Sequence, residues 1–148
     1  KKLESHGLRT VMLRIGIVLD QSGGALKEML KPPVAAPLGS GEQWMSWIQI
    51  EDLARMFLFA IENESLSGVF NAVGPKPVTN RTLTQSAAKK IDKMFVGVGV
   101  PGFMLKIILG EMAQMVLGGN KASSKKIEAA GFQFRYPSIE EALEKTFK

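Results

Sequence analysis

Between Gly39 and Asp52 the sequence reads GSGEQWMSWIQIED, two glycines and two tryptophans among amide, hydroxyl and carboxylate side chains. Such a loop can stack a polar ring on indole and hold its edge by hydrogen bonds, which suits a sugar or a base. Gln43, Trp44 and Ser46 are the candidate ligand-binding residues, and Trp47, on an apolar run, is read as core ahead of ligand wall. Other chemistry is thin. Cysteine is absent and His6 is the single histidine. That excludes disulfides, thiolate zinc sites and cysteine nucleophiles, and it leaves a His-based metal site or a Ser-His-Asp relay one residue near a chain end. No metal ligand and no catalytic residue is assigned. Gly97-Val98-Gly99-Val100-Pro101-Gly102 spells G-x-G-x-x-G. A dinucleotide fingerprint must follow a strand, open a helix and be answered by an acidic residue about twenty positions on. Residues 118–121 carry no carboxylate, and Pro101 removes one of the N–H groups that would face phosphate, so this stretch is a turn before a helix.

The elements that must position these residues come from a chain of 148 residues, 45% hydrophobic and 22% charged, enough for one ordinary domain with a core. The net charge of +5 is uneven: residues 1–74 carry net −1 and residues 75–148 net +6. The basic half invites an anionic partner, but its lysines lie at helical spacings with few aromatics for stacking. A solvated basic face is favoured over a nucleic-acid groove, with a small phosphorylated ligand between the two. Residues 1–7, KKLESHG, form no signal peptide and include no methionine, so the chain is expected to be part of a longer protein. The apolar window Phe103 to Leu117 is interrupted by charges and too short to span a bilayer. No membrane contact is expected, and the lack of cysteine fits a reducing, cytoplasmic setting.

Arg9 to Leu19, RTVMLRIGIVL, has the unbroken apolar character of a strand covered on both faces, which implies a parallel sheet. A turn at Ser22-Gly23-Gly24 leads to a short helix that Pro32-Pro33 stops, and Val34 to Leu38 is an extended piece. Met45 to Ile50 is a strand or extended loop, followed by a helix Leu53 to Glu62 with Leu53, Met56, Phe57 and Ala60 inward. Gly68 to Val73 is the next strand. Thr79 or Asn80 caps a helix from Leu83 to Lys93 with Leu83, Ala87, Ala88 and Ile91 inward, and Pro101 opens an apolar helix Gly102 to Leu117. Ser123 or Ser124 starts a short helix that Gly131 ends, Phe132 to Phe134 is a short strand, and Ser138 caps a final helix. The order gives an α/β architecture.

These residues carry a resemblance. Arg14, Gly16, Val18, Leu19, Gly23 and Gly24 (R-x-G-x-V-L and a glycine pair), G-S-G-x-Q-x-x-S-W-I-x-x-x-D-L-A from Gly39 to Ala54, and G-x-F-N from Gly68 resemble the C-terminal half of an extended short-chain dehydrogenase/reductase. Leu109 to Ala113 (LGEMA), the glycine and lysine near 119–121, and K-x-x-x-A-G-F-x-F-x-Y-P from Lys126 are similar to the C-terminal extension of one NAD(P)-dependent epimerase/dehydratase branch, the cell-division-inhibitor-like sugar-nucleotide epimerases. The resemblance covers essentially the whole chain.

It implies a Rossmann-type α/β fold: residues 1–82 as the end of that domain with a substrate-side loop, and 83–148 as a mainly helical extension. It implies that Gly16, Ile17 and Val18 line the nicotinamide end of a bound NAD or NADP through backbone groups, and that Gly41, Gln43, Trp44, Ser46 and Trp47 face the substrate, a nucleotide sugar. Asp52 becomes a helix-start acid. Met45 and Gln49 stand where many members have arginine and histidine, and Ser124 where this branch often has proline. The family's glycine turn and Tyr-x-x-x-Lys pair belong to an N-terminal half. Tyr136, with Glu140 four residues on, cannot be that pair and is expected to pack beside Phe132 and Phe134. The resemblance therefore implies the substrate-binding portion of an epimerase/dehydratase, inactive without its N-terminal half, and leaves homo-oligomer formation open. The alternative is a protein-interaction module using the methionine-rich helix Met104 to Leu117, since methionine surfaces adapt to varied partners.

Overall fold

The computed structural model describes residues 7–109 and 117–148. The expected strand Arg9 to Leu19 is divided: β1 (Val11–Ile15) and β2 (Ile17–Leu19) are separated at Gly16, where the chain changes partner. β4 (Trp47–Gln49) lies parallel to β2 with Trp47 opposite Ile17, and β5 (Gly68–Ala72) lies parallel to β1 with Ala72 opposite Ile15. A short antiparallel pair joins β3 (Trp44–Met45) to β6 (Val78–Thr79). At the change of partner the Gly16 N–H donates to the Ala72 carbonyl at 3.2 Å and the next N–H, of Ile17, to the Ser46 carbonyl at 2.8 Å. A Cβ on residue 16 would collide with the Ser46 carbonyl oxygen and stand 2.8 Å from Val73 Cγ1. Close backbone approach therefore requires glycine here.

Among the described residues the helices are α1 (Gly24–Leu30), α2 (Ile50–Glu62), α3 (Asn80–Lys90), α4 (Gly102–Leu109), α5 (Lys125–Ala129) and α6 (Ile139–Thr146). α2 starts three residues before the pattern places it, because the Gln49 side chain accepts the Glu51 N–H at 2.5 Å and so caps the first turn. Leu53, Met56 and Ala60 face inward, whereas Phe57, expected beside them, is exposed. Thr79 caps α3 by accepting from the Thr82 N–H, and the helix ends at Lys90, which leaves Ile91 partly exposed and not inward. Ser138 and Glu141 form a reciprocal capping box on α6. Of the expected helix Gly102 to Leu117, residues 102–109 are helical; residues 110–116 lie outside the described residues.

Three further differences have local causes. Val34 to Leu38 forms two isolated bridges, Ala35 to Phe95 and Leu38 to Val100, and no continuous strand. Phe132 to Phe134 is irregular chain: Phe132 makes edge contacts with Phe59 (5.6 Å) and Phe134 (5.0 Å), so the F-x-F spacing serves ring packing. Gly99 of the G-x-G-x-x-G stretch lies so close to the Gly39 carbonyl that no Cβ fits, which accounts for that glycine by chain packing.

β4 is buried on both faces. Trp47 enters a cluster with Leu19, Leu26, Leu83, Ala87 and Leu143, and its neighbour Ile48 enters a second with Met56, Phe70, Ile127 and Phe132. Alternate side chains of one strand thus serve two cores, the pattern of a sheet layered by helices on either side. The covering is uneven. The C-terminal segment lies on β5, where Lys126 Nζ donates to the Val69 carbonyl at 2.8 Å and the Asn71 amide to the Ser123 carbonyl at 3.0 Å. β1 pairs with β5 alone among the described residues, and Leu8, Met12 and Ile15 beside its open edge are about half exposed.

Candidate functional site

The loop from Gly39 to Gln43 is built on left-handed glycines. Gly39 (φ +61°) and Gly41 (φ +77°) hold conformations that side chains disfavour, and a Cβ on Gly41 would stand 2.8 Å from Pro37 Cβ. The loop is tied to the start of α3: the Arg81 N–H donates to the Gly41 carbonyl and the Asn80 N–H to the Gln43 carbonyl, both at 2.9 Å. Gly41 is buried, and the Gln43 amide donates to the Leu38 carbonyl at 2.9 Å, an internal brace of the loop.

Beyond the loop the residues separate by exposure. Trp44 is 39% exposed; Trp47 is 1% exposed with its indole N–H donating to the Lys76 carbonyl at 3.0 Å. Trp47 is a core residue, as its apolar neighbours imply. Met45 and Gln49 are buried too, Met45 in the first cluster and Gln49 as the α2 cap. Ser46 is a junction. Its carbonyl accepts the Ile17 N–H, while its hydroxyl donates to the Asn120 carbonyl at 2.6 Å and accepts the Ala122 N–H at 2.9 Å. The Asn120 N–H returns to the Trp44 carbonyl at 3.0 Å, and a Cβ on Gly119 would stand 2.6 Å from the Trp44 nitrogen. Residues 119–122 are thus strapped across β3. The strap sets the Lys121 ammonium 4.0 Å from the Trp44 ring centroid, a cation–π contact.

Gly16, Ile17 and Val18 are partly exposed. The N–H groups of Gly16 and Ile17 are engaged by Ala72 and Ser46, so a nicotinamide at this point would meet apolar chain instead of those two donors. A flat, weakly polar ring fits such a wall.

Asp52 is the strongest tie between α2 and the C-terminal segment. At 1% exposure it accepts from Arg55 (2.8 Å), the Arg135 N–H (2.9 Å) and the Tyr136 N–H (3.0 Å). Tyr136 does not join Phe132 and Phe134: it packs on the first cluster, and its hydroxyl donates to Glu51 at 2.8 Å. Lys145, 2.7 Å from Glu51, and that hydroxyl hold the Glu51 carboxyl below its ordinary value, while the bond to Glu51 raises both the Tyr136 and Lys145 values. This network borders an open cavity of about 420 Å³ between Asp20, Ser22, Gln49, Glu51, Lys145 and Lys148, which includes none of the expected ligand residues. Among the described residues no cluster of His, Cys, Asp or Glu could hold a metal, and no helix is long and apolar enough to cross a membrane.

Sequence reasoning on the residues passed over Lys121. It lies 77 positions from Trp44, and no local spacing pairs them; its signals were its place among the lysines of the basic half and the glycine and lysine near 119–121 in the resemblance.

Parallel strands changing partner at a glycine, with helices on both faces, define part of a Rossmann-type α/β protein. Residues 100–146 match a family described as a domain of unknown function, DUF1731. An epimerase family protein of Staphylococcus aureus (strain MRSA252) is 41% identical over 147 residues, 97% of this chain and 49% of that protein. The crystal structure of a human epimerase family protein with NADPH superposes with a TM-score of 0.87 at 32% identity, over 94% of this chain and 48% of that one. The nucleoside-diphosphate sugar epimerase of Corynebacterium glutamicum gives 0.74 at 26% identity, over 97% and 27%. The chain spans about half the length of the curated relatives it matches. It corresponds to the C-terminal half of epimerase family proteins of the extended short-chain dehydrogenase/reductase type.

Proposed function

We propose that this chain is the substrate-side portion of an NAD(P)-dependent nucleotide-sugar epimerase or dehydratase and is inactive without an N-terminal dinucleotide-binding half. The observation that carries this reading is the open, apolar edge of β1 leading directly to Gly16: further parallel strands can add there and bring a cofactor to Gly16, Ile17 and Val18. The human relative was solved with NADPH, and the C. glutamicum relative is described as a nucleoside-diphosphate sugar epimerase. A bound nicotinamide would supply hydride transfer. This chain's residues would form the apolar wall beside it, while the loop Gly41 to Trp47 would shape the substrate side, Trp44 through its exposed ring and Ser46 and Trp47 from beneath. In this reading residues 1–82 end the Rossmann-type domain, residues 83–148 form the extension, and the whole protein works in the cytoplasm.

The test begins with the intact mass of the polypeptide as its gene expresses it, followed by NADPH titration of that polypeptide and of residues 1–148 alone. Binding by a polypeptide of about twice 16.1 kDa, and none by the chain alone, is the expected result. A gene product of 16.1 kDa that binds no NADPH overturns it. Phe103 (67%) and Met104 (43%), exposed at the start of α4, favour a second reading, a protein-interaction module. Binding of an apolar-surface dye that persists in the longer polypeptide would support it.

A further inference from the structure

We infer that Lys121, held over Trp44, is the cationic contact for the phosphate oxygens of a ligand seated beside the Gly39–Gln43 loop. The inference rests on the reading above and adds a residue to its substrate side.

Three observations on different parts of the chain converge on this pair. Trp44 and Lys121 are both exposed, yet the backbone on either side of Lys121 is fixed: Asn120 is bonded to Trp44 and Ser46, and Ala122 to Ser46. A surface lysine on a free loop would sweep a wide volume; here the flanking backbone is fixed, which lowers the cost of ordering the side chain around a ligand. The strap reaches this position only through Gly119, whose hydrogen faces the Trp44 nitrogen where a methyl group would meet it at 2.6 Å. Among the described residues Lys121 has no carboxylate partner, whereas Arg81, the other cation of this loop, is held by Glu42 and by the Gly97 and Ser40 carbonyls. Among the described residues the Lys121 charge is thus left to an incoming anion, and an ammonium on an aromatic face keeps donors directed away from the ring.

Placement ties the pair to the proposed cofactor wall. Ser46 bonds the strap through its hydroxyl and Ile17 through its carbonyl, so Lys121 and the partner change at Gly16 are separated by a single residue's set of hydrogen bonds. The basic character of residues 75–148 adds long-range attraction for such an anion.

The polypeptide as its gene expresses it, and its Lys121→Gln and Lys121→Arg variants, would be titrated calorimetrically with inorganic pyrophosphate in saturating NADPH. Loss of a charge-assisted hydrogen bond should weaken pyrophosphate about tenfold or more in Lys121→Gln, with Lys121→Arg within about threefold of the unsubstituted protein and NADPH affinity unchanged in both. Equal pyrophosphate affinity in all three proteins, or none in any, with NADPH still bound, overturns the inference alone. Failure of the unsubstituted protein to bind NADPH overturns the reading it rests on.

Discussion

The two strands of the β1–β5 pair meet different surroundings. β5 is clothed by the C-terminal segment through Lys126, Asn71 and the packing of Ile127 against Phe70, while β1 has apolar side chains beside an edge without a partner. An exposed apolar edge strand is a liability that proteins ordinarily blunt with charge, proline or a covering element. Here the C-terminal segment meets that need on β5, and on β1 nothing within the described residues does. In the proposed reading, this difference marks β1 as the side on which further strands would add.

Asp52→Ala should break this contrast most severely, because it removes the buried carboxylate that joins the C-terminal segment to α2. Arg55 keeps only the Gln133 carbonyl and two backbone N–H groups lose their acceptor, and breaking such a buried charged contact costs about 3 kcal/mol or more. Denaturant unfolding would show it as a lower midpoint. Lys126→Ala removes one partly solvated hydrogen bond on β5 and should cost about 1 kcal/mol. Met12→Gln should lie within about 0.5 kcal/mol in residues 1–148 alone, as a change on an open surface does. A loss comparable to that of Asp52→Ala would mean that β1 is already covered.

Acid supplies a further probe of the clothed side. The Glu51 carboxyl sits below its ordinary 4.5 through Lys145 and Tyr136, so its contribution is present above pH 4.5 and disappears as pH falls through the lowered value. Glu51→Gln should therefore flatten the acid limb of a stability-against-pH curve and leave its slope between pH 6 and 8 unchanged.

The sequence carried the main helices, the parallel strands and most of the caps, since alternation, glycine punctuation and Thr79, Ser138 and Gly131 act locally. It misplaced features that depend on distant partners. The division at Gly16 arises from Ser46 thirty residues away and the Tyr136 position from Glu51 and Asp52, while the early start of α2 has a local cause, an uncommon glutamine cap. On the candidate site the exposed Trp44 and buried Trp47 were legible from their neighbours. Lys121 was not, because a strap is made by tertiary hydrogen bonds that leave no period in the chain.

Two indoles three residues apart, one at the surface beneath an ammonium and one enclosed with its N–H bonded to a carbonyl, give the molecule a two-colour optical signature. Emission from Trp47 reports whether the first core is closed, and emission from Trp44 reports what lies on the Lys121 strap. Spectra of Trp44→Phe and Trp47→Phe variants would therefore distinguish an event at the loop surface from loosening of the fold beneath it.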